Sequence, residues 1–223
     1  MLEIWNIVIP AFRLWGLSIV VQLCLGLSMA VIFAGCLGNS QRIQNGSADD
    51  RGFLHVERKA WRREIPLFLQ FSCFTGLWAV FGDHCRARGI IPLDSKLVND
   101  SVQETAFTVF WQFSLYFVLF DTYYYFLHRY VLHNKRLLWW VHESHHRSFA
   151  CNALTGFVFH PVEAIITGGF NDLLAIAMAG SYHRWAHAAV QIFGLLSTTY
   201  VHAGHQVLPD WIERAPWNWW LTT

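Results

Sequence analysis

Twelve histidines in a chain of 223 residues are the residues here with the clearest chemistry, because neutral imidazole ligates Fe, Zn, Cu or Ni without carrying net charge into an apolar site. They fall into three main groups. The first is His128-Arg-Tyr-Val-Leu-His133. On a continuous α-helix its two rings would point about 140° apart, so either the helix ends between them or they serve different metals. The second, His142-Glu-Ser-His145-His146, places three rings within about 100° of arc on one helical face. The third is His202-Ala-Gly-His205. Asp121 precedes His128 by seven residues, nearly on the same face, and can accept the spare ring N–H of a ligand. His160 and Glu163 are three apart and read either as a ligand with its partner or as the entry to the next helix, lining the site. His183 and His187 share a helical face, and His55 and His84 read as solvated loop residues. A lone HxxxxH is ordinarily interfacial histidine. The metal reading rests on three groups that each stand at the end of an apolar run. No side chain reads as a nucleophile or general acid.

The elements that must position these rings are apolar. The chain is 54% hydrophobic and 14% charged with mean hydropathy +0.30, a composition that predicts an all-α, polytopic membrane protein. Apolar runs cover 14–38, 65–81, 106–127, 164–180 and 186–200, which makes four or five helical segments, the last two long enough to span or to form a hairpin dipping into the bilayer. A signal peptide competes for the first run, but it is long for one and its flank carries Glu3 instead of a basic stretch. Residues 39–64 read as a polar loop ending in Arg58, Lys59, Arg62 and Arg63, residues 83–105 as mixed charge around Pro92, and residues 129–147 as a segment in water or at the interface.

Lys and Arg number six in residues 39–64, three in 83–105 and four in 129–147. The first and third of these segments therefore belong on the cytoplasmic side, with the N-terminus outside. This topology brings His202 and His205 to the cytoplasmic face beside the first two groups and leaves His183 and His187 across the membrane. The abundant aromatic residues read as an interfacial belt, some of them lining a lipid groove.

Net charge is +1 and the sequence pI about 7.8, so no electrostatic footprint for nucleic acid exists. Five cysteines, odd in number and without CxxC spacing, read as small buried hydrophobes. A metal transporter or metal-binding scaffold is the rival class. Its helices should carry ionisable groups at mid-membrane depth, and apart from Asp121, His160, Glu163, Asp172 and His187 the apolar runs are nearly bare.

In combination, His128-Arg129 with His133, His142 with His145-His146, the HPxE-like His160-Pro161-Val162-Glu163, and His202-Ala-Gly-His205 resemble the fatty acid hydroxylase and sterol desaturase superfamily of membrane non-haem di-iron enzymes. The resemblance runs from about Asp121 to Thr223 and implies N-terminal spans and loops over 1–105, then a catalytic domain over 106–223. It implies two Fe ions, with Zn accepted in a purified or non-native state, held by His128, His133, His142, His145, His146, His202 and His205, with Asp121, His160 and Glu163 around them. It further implies hydroxylation of a lipid (fatty acyl, sphingolipid or sterol) by O2 with electrons from cytochrome b5 or a ferredoxin and reductase. The histidine boxes would face the cytoplasm, in the endoplasmic reticulum of a eukaryote or the inner membrane of a bacterium. Desaturation is the near alternative. The family pattern has a further HxxHH box that does not occur before Thr223, so truncation is expected, a shortened or inactive member being the alternative.

Overall fold

The computed structural model describes residues 8–17, 19–21, 24, 28, 50–147 and 155–202. These residues form helices and no strands; a single parallel bridge joins Asp94 to His183. An N-terminal apolar helix, α1, covers Val8–Val21, and the rest of the first expected apolar run lies largely outside the described residues. Helix α2 runs from Asp50 to Ala87. The polar stretch expected as loop up to residue 64 is therefore helical from Asp50 onward, and His84 sits on the helix rather than in a loop. Polarity does not break a helix. Between Phe53 and Ile65 there is neither Gly nor Pro, and the Leu, Glu, Arg, Lys and Ala found there are strong helix formers.

Gly89 ends α2 with φ +70°, the left-handed geometry that glycine adopts without steric cost. The Ile90 N–H donates to the Cys85 carbonyl and that of Gly89 to the Arg86 carbonyl, which together make a Schellman stop. Helix α3, Val102–Phe126, starts on Ser101, whose hydroxyl accepts from the Glu104 N–H. It passes directly into a π-helical turn over Leu127–Leu132. Helix α4 is Trp139–His146. A short 3-10 turn at Thr155–Phe157 precedes α5, Pro161–Gly168, and α6, Phe170–Ala177; α7 is Arg184–Val201.

The expected apolar run 164–180 is thus not one helix. It breaks at Gly169, where an added Cβ would stand 2.5 Å from the Ile165 carbonyl oxygen and 3.6 Å from Trp78 of α2. Lack of a side chain allows both the break and the close approach. Each half has eight residues, about 12 Å of helix, too short to cross a bilayer alone.

Helices α2, α3 and α7 run between two ends of the bundle. At one end lie Arg63, His128 and His202. At the other, Arg86 stands 3.7 Å from Asp172, Gln112 donates to the Ser181 carbonyl, and His183 caps α7 by accepting from the Trp185 N–H. The main apolar core, including Ile91, Tyr116, Ala175, Tyr182 and Val190, binds α3, α6 and α7 together. Outward faces are conspicuously apolar: Phe107 is 69% exposed and Ile192 60%. Among the described residues, the stretch Arg62–Ala87 is the only one both long and apolar enough, by length and composition, to cross a membrane. Four or five such helices were expected. Helix α3 has the length, 25 residues, but Gln103, Glu104, Gln112, Asp121 and its tyrosines reduce its apolarity.

Candidate metal centre

The π-helical turn removes the angular conflict in the first histidine group. The His133 N–H donates to the His128 carbonyl at 3.0 Å, an i→i+5 bond that widens the turn and brings the sixth residue of HxxxxH back over the first. The two ring centroids are 4.5 Å apart.

Helix α4 adds His142 and His146, and one ring nitrogen from each of His128, His133, His142 and His146 lies within 4.8 Å of the others. The buried His142 ring donates from Nδ1 to Glu163 Oε1 at 2.7 Å, if its proton sits on the side facing the carboxylate, and its Nε2 is then a bare lone pair. That Nε2 is 3.1 Å from His128 Nε2 and 2.9 Å from His146 Nε2. His146 Nε2 is also 3.2 Å from His133 Nε2. A neutral ring has one N–H, so His142 Nε2 cannot donate and His146 Nε2 can donate to only one neighbour. Nitrogens sharing one ion at about 2.0–2.1 Å stand about 3.0–3.4 Å apart, close to these three contacts, while the four nitrogens as a set spread up to 4.8 Å. Glu163 Oε2, buried and without a hydrogen-bond partner, is a second unspent acceptor beside the group. The donor set fits a transition-metal ion.

The remaining ring of HxxHH turns the other way. His145 Nε2 faces His202 Nε2 at 3.2 Å, and His202 donates from Nδ1 to the Thr198 carbonyl at 2.8 Å, which again bares Nε2. A carboxylate or carbonyl on the far ring nitrogen is the usual support of a metal-ligating histidine. The His142 and His145 rings are 5.6 Å apart, so the two groups adjoin. Helix α7 reaches this point because residue 156 is glycine: a Cβ there would lie 2.7 Å from both Thr198 O and Cγ2 and 3.2 Å from His202 Nδ1. His205 lies outside the described residues.

Aromatic rings hold the imidazoles from behind. Tyr124 stacks on His128, Trp139 on His146 and Phe159 on His145, with centroids 5.3, 5.7 and 4.8 Å apart. Burial, reinforced by neighbouring imidazoles, pushes the pKa of His128 down to about 4 and that of His145 to about 3. Burial also lowers His133, His146 and His202. Neutral rings with free lone pairs are the form that binds metal.

Of the residues expected around the ligands, Glu163 provides the carboxylate on a ring nitrogen. His160 caps α5, its Nδ1 accepting from the Val162 N–H at 3.2 Å, and Pro161 takes the first helical position. Asp121 makes no hydrogen bond to a histidine among the described residues; the orienting role on His142 belongs to Glu163. His183 and His202 stand at opposite ends of α7, about 28 Å apart at 1.5 Å per residue. His187 meets Asp172 at 3.0 Å, far from the cluster.

Sequence reasoning missed Tyr124, Trp139, Phe159 and Arg63, which donates to the carbonyls of Arg147 and Ser144 at the end of α4. Tyr124 lies one helical turn before His128 and Trp139 two turns before His146, so helical spacing signals them. Phe159 and Arg63 act across the fold and leave no local sign. A cavity of roughly 440 Å³ opens against one side of the cluster, lined by Tyr124, Tyr125, His128, Arg129 and His133.

Residues 113–223 match the fatty acid hydroxylase family. Among characterised proteins, the chain is 34% identical to methylsterol monooxygenase 1 of Rattus norvegicus over 91 residues, 40% of this chain and 30% of that protein. It is 33% identical to sphinganine C4-monooxygenase 1 of Arabidopsis thaliana over 86 residues, 38% of this chain and 33% of that one. Methylsterol monooxygenase 1 of Danio rerio is 33% identical over 91 residues. The matched stretch spans about a third of each relative's length. No solved structure matches the chain.

Proposed function

We propose, on the premise that residues 113–223 belong to the fatty acid hydroxylase family, that this chain carries the metal centre of a membrane lipid hydroxylase. The observation that supports it most is the convergence of imidazoles whose far nitrogens are already occupied: His142 by Glu163 and His202 by Thr198. A solvated histidine patch has no reason to fix its tautomers in this way. His128, His133, His142 and His146 would hold one Fe ion, and His145 and His202, with His205 as a further candidate, a second. Asp121 and His160 line the surroundings rather than ligate. When bound, the metals supply oxidation of an unactivated C–H bond by O2 with two external electrons.

What the protein itself contributes is positioning and exclusion. Glu163 and the Thr198 carbonyl aim lone pairs inward. Tyr124, Trp139 and Phe159 each cover one face of an imidazole, of His128, His146 and His145 respectively, while His133 and His146 stay exposed. The cavity beside His128 and His133 is lined by Tyr124, Tyr125 and Arg129 as well, and would admit a lipid chain entering from the bilayer. The relatives' names specify a methylsterol and sphinganine. Only the class, a lipid, is carried over to this chain. Electrons would come from a cytochrome b5 or ferredoxin type of donor.

Apolar exposed faces on α2, α3 and α7, all three running between the two bundle ends, support a polytopic arrangement; the Lys and Arg counts of residues 39–64 and 129–147 favour the cytoplasmic face for the histidines. In that arrangement α5 and α6 cross together as one broken element. The test is metal content with product analysis. Protein purified in detergent should bind iron and incorporate oxygen from labelled O2 into a lipid supplied with a reductase. Absence of metal from wild-type protein, or binding unchanged in a His142→Ala, His146→Ala double variant, would overturn the reading.

A further inference from the structure

The matched family region begins at residue 113, yet the metal centre does not end there. We propose that α2, which precedes that region, is the outer scaffold of the metal centre, with Arg63 as the positioning residue for the helix that carries His142, His145 and His146. The proposal rests on the metal reading given above for its purpose, but on independent contacts for its substance.

Helix α4 has eight residues, about two turns, and an isolated helix of that length does not persist. Its N-terminus has no side-chain cap. Its last carbonyls lack intrahelical donors, and the negative end of the helix dipole favours a cation there. Arg63, 84 residues before Arg147, places its guanidinium on them, with Nη1 donating to the Arg147 carbonyl and Nη2 to the Ser144 carbonyl at 3.4 Å. Ser144 and Arg147 bracket His145 and His146 in sequence. A planar fork with two aligned donors can grip two carbonyls at once, which an ammonium does less well.

Neighbouring α2 residues continue the same wall. Thr155 donates its hydroxyl to the buried Glu64 carboxylate at 3.1 Å, Phe68 and Phe71 pack on Phe157, and Phe71 packs on Phe159 at 5.9 Å. Phe159 in turn stacks on His145. One face of α2 therefore touches the centre from two sides: Arg63 holds the end of α4, and Phe71, two turns later, backs the ring that supports His145.

The test is made on the whole chain, first without metal. Hydrogen exchange of the metal-free protein in detergent should speed up by about tenfold or more for the α4 amides in Arg63→Ala, with α3 and α7 unchanged and Arg63→Lys intermediate. Affinity for Co2+, read by its visible absorption, should then fall about 10–100-fold in Arg63→Ala, the range seen when the support of a ligating histidine is lost. Unchanged α4 exchange overturns the proposal, as does acceleration spread evenly over all helices. Should Arg63→Ala fail to accumulate, Arg63→Lys decides by the same exchange comparison. If wild-type protein binds no Co2+, the metal reading fails, while the exchange result still decides whether Arg63 holds α4.

Discussion

Glu163 shows how much a single residue decides at this site. Both it and His142 are fully buried, so the 2.7 Å contact between them fixes which nitrogen of His142 faces the other imidazoles. In Glu163→Gln the amide oxygen can still accept the ring N–H, but the hydrogen bond is no longer to a carboxylate. We expect metal affinity about 10-fold weaker in Glu163→Gln and up to about 100-fold weaker in Glu163→Ala, measured by competition with a chelator. Equal affinities in all three proteins would mean that His142 is oriented by packing alone. A second residue-scale expectation concerns acid. Since His128 and His145 are pushed down to about 4 and about 3 by burial, they stay neutral in the folded protein at pH values where the unfolded chain takes up protons. The unfolded state binds more protons below about pH 6.5, so stability rises with pH across that range and is lost on acidification. The metal-free protein should melt progressively lower as pH drops from about 6.5 to about 4, and show little change above about 7 from these groups. A melting temperature that stays level across the acidic range would show that the rings titrate freely.

At the scale of elements, the histidine groups were legible because ligand spacing is a local property: HxxHH sits on one helix, and His202 follows directly on another. The π-helical turn at Leu127–Leu132 was not, because period-3.6 reasoning assigns His128 and His133 to different faces, and only the i→i+5 bond reunites them. Helix α2 was underestimated for a related reason. Charge was taken as a sign of loop, whereas Arg63 and Glu64 are polar because they bond to Arg147, Ser144 and Thr155 across the fold. The break at Gly169 is likewise a packing effect, invisible to hydropathy. Two outcomes follow from these elements. An alanine inserted between Arg129 and Tyr130 should carry His133 off the shared face, so that metal bound by the four-histidine group is lost while helix content by circular dichroism is retained. Gly156→Ala should crowd Thr198 and His202 and cost about 1–3 kcal/mol as an overpacked contact, read as a lower melting temperature. A Gly156→Ala protein as stable as wild type would show that α7 can shift there freely.

For the whole molecule, the decisive relation is between its two ends. The histidines of the candidate centre lie at one, with Arg63 brought there through the fold and Lys135 and Arg136 nearby in the chain; Asp94, Lys96, Ser181 and His183 lie at the other, tied by Asp94–Arg184 and Tyr182–Asp94 backbone bonds. Between them α2, α3 and α7 show apolar side chains outward, Leu77, Phe107 and Ile192 among them. If the bundle spans a bilayer with the histidines inside, the ends must differ in accessibility from opposite sides. Asn134 and Ser181 are both exposed and each lies between helices, so cysteine is tolerable at either position. Natural cysteines complicate labelling, and Cys73 is exposed on α2, so the comparison is made in a background with the native cysteines replaced by serine or alanine. A membrane-impermeant maleimide should then label Ser181→Cys from outside intact cells, and label Asn134→Cys only after the membrane is opened. Labelling of both from one side would remove the transmembrane arrangement while leaving the imidazole geometry untouched. The centre and the topology are separable claims: the first follows from contacts a few ångströms long, the second from apolar surface that those contacts leave uncovered.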